Sequence, residues 1–210
     1  MIVRRSGAAT QAHRRSVVLG LLAVAGCVST AKPDEPGDAC AIFEQHEAWW
    51  KAVKRAERRF GAPPALVLAI IRQESGFDHK ARPPRGRFLF FFPGRRASSA
   101  YGYAQALDGT WEAYQREAGD RGADRDEFRD AADFVAWYAN RSRADLGIPF
   151  SDARSHYLAY HEGAGGYRRG SYRGKSAVLA AATRVQGFAS AYSAQLARCE
   201  GKLNRWRRPL

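Results

Sequence analysis

Methionine is nearly absent and cysteine scarce, with one Met and three Cys in 210 residues. No apolar run approaches the roughly twenty residues that a spanning helix needs. These shortages, with moderate hydrophobicity, give no sign of a buried membrane domain. No internal repeat is visible. Metal ligands are missing too: His46, His79, His156 and His161 stand at no ligand spacing from Cys or acids, so no zinc or other metal is expected. Gly163-Ala164-Gly165-Gly166 is rich in glycine but lacks the Lys-Ser/Thr ending of a phosphate loop, and reads as a flexible turn at a cleft rim. No cofactor is expected. The length suits one core with a tail.

Positive charge is plentiful, with 34 Lys and Arg against 21 Asp and Glu and a net charge of +13. Part of it belongs to an address. Arg4, Arg5, Arg14 and Arg15 precede a short apolar run from Ser16 to Ala25, the layout of a secretion signal. The run ends Leu22-Ala23-Val24-Ala25-Gly26-Cys27, which resembles a bacterial lipobox; Arg14-Arg15 faintly resembles a twin-arginine signal. On this reading residues 1–26 are removed and Cys27 is lipidated as the new N-terminus. An ordinary signal peptide with an incidental Cys is the alternative. Val28 rather than Asp follows, which points to a lipid anchor in the outer membrane, facing the periplasm. Losing residues 1–26, with four Arg and no acids, lowers the charge by four from +13 to +9. So basic a chain predicts an anionic partner. Export makes that the cell wall and lipid headgroups and excludes nucleic acid. The chain is expected to act as a monomer.

With Cys27 lipidated, Cys40 and Cys199 remain as an even pair in an oxidising compartment. Cys40, Phe43, Trp50, Val53 and Phe60 share one helical stripe. Val178, Ala182, Val185, Ala189, Tyr192, Leu196 and Cys199 follow alternating steps of four and three. Both cysteines extend inward-facing stripes, which predicts a disulfide clasping the first and last helices.

Thr30 to Ala39, with Pro33, Pro36, Gly37 and three acids, reads as the end of a tether over 27–39. The domain proper spans 40–200, and 201–210 is a basic tail. A first helix runs from about Ala41 to Phe60. Pro64 suits the first position of the next helix and Gly76 the position after its end. Lys80 to Ala100 holds Phe88-Leu89-Phe90-Phe91-Phe92 bracketed by Arg82, Arg85, Arg87, Arg95 and Arg96. It is either a buried strand or a small β-hairpin or flap over 84–100, with the hairpin or flap preferred. Further helices start near Asp108, Asp126 and Ser151, the last reaching Gly163 before a Gly/Arg/Tyr loop to Gly174. Trp49, Trp50, Trp111 and Trp137 sit on helices and read as core. Tyr101, Tyr103, Tyr167 and Tyr172 sit in loops and suit stacking on a sugar. Nearly every periodic segment has the helical period, so the domain is mostly α.

Within the Pro64 helix, Glu74 lies at i+4 from Ile70 and i+3 from Ile71, on the apolar side of the last turn. Desolvation and the negative end of the helix dipole both disfavour its anion. An acid held protonated near neutral pH suits the cleavage of a glycosidic bond. A Glu fraying into water at a helix end is the other reading of the same spacing.

Glu74-Ser75-Gly76, Gly102-Tyr103-Ala104-Gln105 and Ala159-Tyr160-His161, in that order, resemble the motifs of the soluble-type (SLT) lytic transglycosylases, which have a lysozyme-like fold. The resemblance spans about Pro64 to Ala194. It implies that Glu74 is the single catalytic acid/base, that Ser75, Tyr103, Gln105 and His161 line the substrate site, that Tyr160 orients or polarises Glu74, and that Gly102 lets the backbone approach the glycan. It also implies peptidoglycan strands as partner and a 1,6-anhydro product. The chain departs from the family at His161, where Asn is usual, at Ala104, where Met is usual, and in the long Ser75–Gly102 spacing. These mark a divergent branch. A hydrolase would want a second carboxylate, and Glu162 is the best candidate, although a solvated place at a helix end suits it better. A muramidase and a catalytically silent wall-binding lipoprotein are the rival readings.

Overall fold

The computed structural model describes residues 30–88, 92–96, 98–118 and 121–205, the backbone alone for 85–88 and 92–96. The predicted signal, Cys27, the centre of the Phe run and the last five residues lie outside them. Seven helices appear in the described residues: α1 (Ala39–Gln45), α2 (Glu47–Phe60), α3 (Pro64–Ser75), α4 (Asp108–Glu117), α5 (Phe128–Leu146), α6 (Ala153–Arg169) and α7 (Ser176–Arg205). An antiparallel hairpin of β1 (Arg85–Phe88) and β2 (Phe92–Arg96) pairs Phe88 with Phe92. Of the hairpin or flap expected over 84–100, the described residues form the hairpin. The molecule is a mostly α single domain with a lysozyme-like character.

α3 forms the hub. Pro63 precedes it in an extended conformation, Pro64 opens it, and Gly76 closes it with φ 58°, its N–H bonded to the Arg72 carbonyl at 3.0 Å. Its residues from Pro64 to Ile71 are buried on every side, because α2, α5 and α7 all pack against it. An all-apolar helix is stable only in such a position. Polarity returns only in the last turn, where Arg72, Gln73, Glu74 and Ser75 are half-buried.

The expected first helix is two. His46 takes φ −125° and ψ 70°, ending α1 and placing its ring 4.1 Å from that of Trp49 in a stack. Trp49 lies flat on Phe128 of α5 with centroids 3.9 Å apart, which ties α2 to α5. All four tryptophans read as core are buried. Asp133 of α5 is buried as well; it accepts from Tyr114 at 2.9 Å and pairs with Arg59.

The predicted tether does not hang free over its described part. Pro33 is buried, Lys32 pairs with Asp78 at 3.1 Å, and Tyr192 donates to the Pro36 carbonyl. Gln195 donates to the Gly37 carbonyl at 3.0 Å and accepts from the Ala39 N–H at 2.8 Å. Asp38 caps α1, accepting from the N–H groups of Cys40 at 2.7 Å and Ala41 at 3.2 Å. Residues 32–38 are therefore a strap laid across the fold, fastened to α7 through Pro36 and Gly37. Cys40 and Cys199 form a disulfide with Cα atoms 6.1 Å apart, joining α1 to α7. The basic tail also begins inside the fold: α7 continues to Arg205, and Leu203 is fully buried. Gly163 has φ 71° and ψ 162° and kinks α6, but helix resumes to Arg169, so the loop expected from Gly163 shrinks to the turn after Gly170.

Candidate active site

Three segments meet around the end of α3. α3 brings Glu74; α6 brings Tyr157 and Tyr160; the turn between the hairpin and α4 brings Gly102 to Gln105. The Glu74 carboxyl lies beside the tyrosines of α6, and the residue as a whole is half-buried. Burial pushes its pKa up to about 7, and a hydrogen bond with the Tyr157 hydroxyl partly opposes that rise. The negative end of α3 acts in the same direction as burial. Near neutral pH this group is divided between acid and carboxylate, the state suited to a residue that donates a proton and then takes one back.

Tyr160 lies beside Glu74: burial, and then the nearby carboxylate, raise its phenol well above the ordinary range. Its hydroxyl, however, donates to the Ala104 carbonyl at 2.5 Å. Tyr160 fastens the turn to α6, while Tyr157, one turn earlier on the same face, lies close enough to the carboxyl to oppose the rise in its pKa. Sequence reasoning missed Tyr157. Its i−3 relation to Tyr160 was the available signal.

The turn itself is held by Gln105, whose side-chain amide donates to the carbonyls of Ala81 and Gly102, both at 2.8 Å, from a backbone with φ 49°. Both hydrogen bonds come from its amide nitrogen. Gly102 has φ +76°, and a Cβ there would stand 2.0 Å from the Arg125 carbonyl oxygen. The close approach it permits on its Cβ side is to the Arg125 backbone. Tyr103 is 1% exposed and packs edge-on to Trp49 and Phe128, so its faces cannot stack on a sugar. Tyr101 is half-buried; it donates to Asp126 at 2.8 Å, with Arg82 4.0 Å over its ring. Tyr167 lies on the last turns of α6 against Tyr172, centroids 5.6 Å apart. The Ser75 hydroxyl donates back to the Ile71 carbonyl at 3.1 Å, leaving its oxygen lone pairs toward solvent or ligand.

His161 is exposed, its Nδ1 3.0 Å from Glu162. Glu162 is not the solvated residue expected: its side chain is 4% exposed. Lys175 holds it at 2.8 Å and Ser171 donates to it. The Lys175 hydrogen bonds, foremost, pull its pKa down to about 2. So clamped, it is a permanent anion that ties the kink of α6 to the start of α7.

A family model described as transglycosylase SLT domain matches residues 15–199. The chain belongs to the SLT transglycosylase family. Its motifs from Glu74 to His161 fall within the matched span, and membership supports lytic transglycosylase activity on peptidoglycan as the general class. No curated protein matches the chain. Among its described residues no helix is long and apolar enough to cross a membrane.

Proposed function

We propose that this SLT domain cleaves the β-1,4 bond between N-acetylmuramic acid and N-acetylglucosamine without water, with Glu74 as the single acid/base. Glu74 delivers its proton to the leaving glycosidic oxygen as the C1–O bond breaks. The resulting carboxylate takes the proton of the muramic acid C6 hydroxyl, whose oxygen closes on C1. One bond forms, one breaks, and Glu74 ends protonated as it began. The observation that carries this reading is a carboxyl raised to about 7 at the end of the buried hub helix. Both oxygens of Glu162, the other candidate carboxylate, are taken up by Lys175, Ser171 and His161, which leaves it poorly placed to serve as base or nucleophile and favours the one-carboxylate mechanism over a two-carboxylate hydrolase. Ser75, Gln105 Oε1, Tyr160 and His161 border the sugar on this reading. The enzyme works in the periplasm, tethered by lipid on Cys27 to the outer membrane, with basic charge holding it to the wall.

The test is mass spectrometry of soluble fragments released from peptidoglycan by wild type and by Glu74→Gln. Anhydro-muropeptides from wild type alone are expected. Their yield should fall as pH rises through 7, because the proton donor is lost there. Reducing-end products would replace the lyase by a muramidase, and fragments from Glu74→Gln would remove Glu74 as the acid.

A further inference from the structure

Glu74 stands between two residues that are held from outside α3: Arg72 before it and Asp78 just beyond the helix. Arg72 Nη1 donates to the Tyr192 hydroxyl at 3.1 Å, and its guanidinium lies 3.9 Å from the centre of the Phe188 ring. An arginine can only donate, so the Tyr192 oxygen accepts and its own proton goes to the Pro36 carbonyl. Tyr192 is fully buried. The chain Arg72–Tyr192–Pro36 thus joins the last turn of α3 to the strap by way of α7.

Beyond Glu74 the backbone turns sharply. The Asp78 N–H reaches the Ser75 carbonyl at 3.2 Å, and the two central residues, Gly76 and Phe77, have φ 58° and 64°. Two left-handed residues in succession make a turn that suits glycine. Phe77 has a Cβ and is fully buried, so its conformation is costly and persists only where neighbours fix it. Asp78 supplies part of that fixing. One carboxylate oxygen accepts from the Lys80 N–H at 2.9 Å, and the other pairs with Lys32 of the strap at 3.1 Å. The Asp78 carbonyl accepts from the Ala81 N–H at 3.3 Å. The Ala81 carbonyl in turn takes the Gly102 N–H at 3.0 Å and the Gln105 amide at 2.8 Å. Lys32 therefore bears on the stretch that links the exit of α3 to the turn carrying Gln105.

We propose that the strap is a positioning element of the active site, in which Lys32 and the Tyr192–Pro36 bond hold the end of α3 from both sides and keep Glu74 in register with the 102–105 turn. This rests on Glu74 being the acid/base. Neither contact touches a reacting atom. An acid misplaced by about 1 Å loses up to about a hundredfold in rate, so fixing both sides of Glu74 bears on turnover rather than on binding. The motifs from Glu74 to His161 contain none of Lys32, Pro36 and Tyr192.

The test uses the full chain in detergent, with kcat and KM measured on soluble glycan strands and hydrogen exchange followed by peptide mass. Lys32→Met removes an exposed ion pair and should lower kcat about threefold with KM level. Lys32→Arg should keep the wild-type rate. Tyr192→Phe removes both bonds of the hydroxyl; it should lower kcat about tenfold and quicken exchange over 74–81. Each variant is assayed well below its melting temperature. A strap that only stabilises the fold would quicken exchange in 32–38 and α7 and leave 74–81 and kcat as in wild type. That result overturns the proposal, and so does an effect on KM alone. Glu74→Gln, assayed alongside, separates the two claims. Unmoved strap variants with an inactive Glu74→Gln overturn the positioning role and keep the acid. Fragments from Glu74→Gln overturn the acid itself, whatever the strap variants do.

Discussion

Glu74 couples protonation to folding as well as to chemistry. Its carboxyl titrates near 4.5 in the unfolded chain and near 7 in the folded one. Between those values the folded state keeps a proton that the unfolded state has released, so its stabilising effect is complete below the lower value and lost as pH rises through the upper one. Glu74→Gln removes the dependence. Against wild type the variant should gain stability on going from about pH 4 to about pH 8, by at most about 3 kcal/mol. Paired thermal melts across that range check the sign. Spacing alone put Glu74 on the apolar side of a helix end, because i+3 and i+4 neighbours share a face whatever surrounds them. It could not separate Tyr157 from Tyr160: both point from α6 toward α3, and which hydroxyl meets the carboxyl depends on where the Ala104 carbonyl lies. Gly102 gives a similar lesson. The need for glycine was legible, but the partner that requires it, the Arg125 backbone, comes from a distant stretch of chain.

Among the elements, α7 shows how far a periodic pattern extends. The steps of four and three that carry Val178 to Cys199 continue to Leu203, which is fully buried. The pattern therefore contained the helix end, and the basic residues around Leu203 disguised it as a tail. Leu203→Ala should lower stability by about 2–4 kcal/mol in denaturant unfolding, through lost burial and the void left behind. α1 and α2 teach the reverse. Their joint stripe reads as one helix because His46 has no propensity to stop one, and the break reflects the stacking partner that tertiary packing offers in Trp49. At Gly163 the backbone kink was legible, but not the helical turn that resumes beyond it. That turn is braced by the Ser171 N–H on the Gly166 carbonyl at 3.1 Å and by Lys175, just before α7, on Glu162 at 2.8 Å.

Across the whole molecule, the disulfide, the strap and α7 act together. Cys40–Cys199 closes a loop with a sequence separation of 159, and Gln195 and Tyr192 hold residues 36–39 just before it. Cys199→Ser should lower stability by about 2–5 kcal/mol. Wild type should melt earlier when a reductant is added, whereas Cys199→Ser should melt alike with and without it. By itself the sequence determined the helical class, the limits of α3, the inward stripes, the pairing of the two cysteines and the ordered motifs of the SLT family. All but the cysteine pairing are written in local spacing, which survives without knowledge of neighbours; the pairing follows from two cysteines on inward-facing stripes. Only the tertiary structure decided that residues 32–38 are a strap, that Tyr103 is a core ring, that Glu162 is clamped, and that Tyr157 faces Glu74. Those outcomes depend on side chains that meet across helices far apart in the chain. The burial and hydrogen bonding that set each role exist only once the helices are packed.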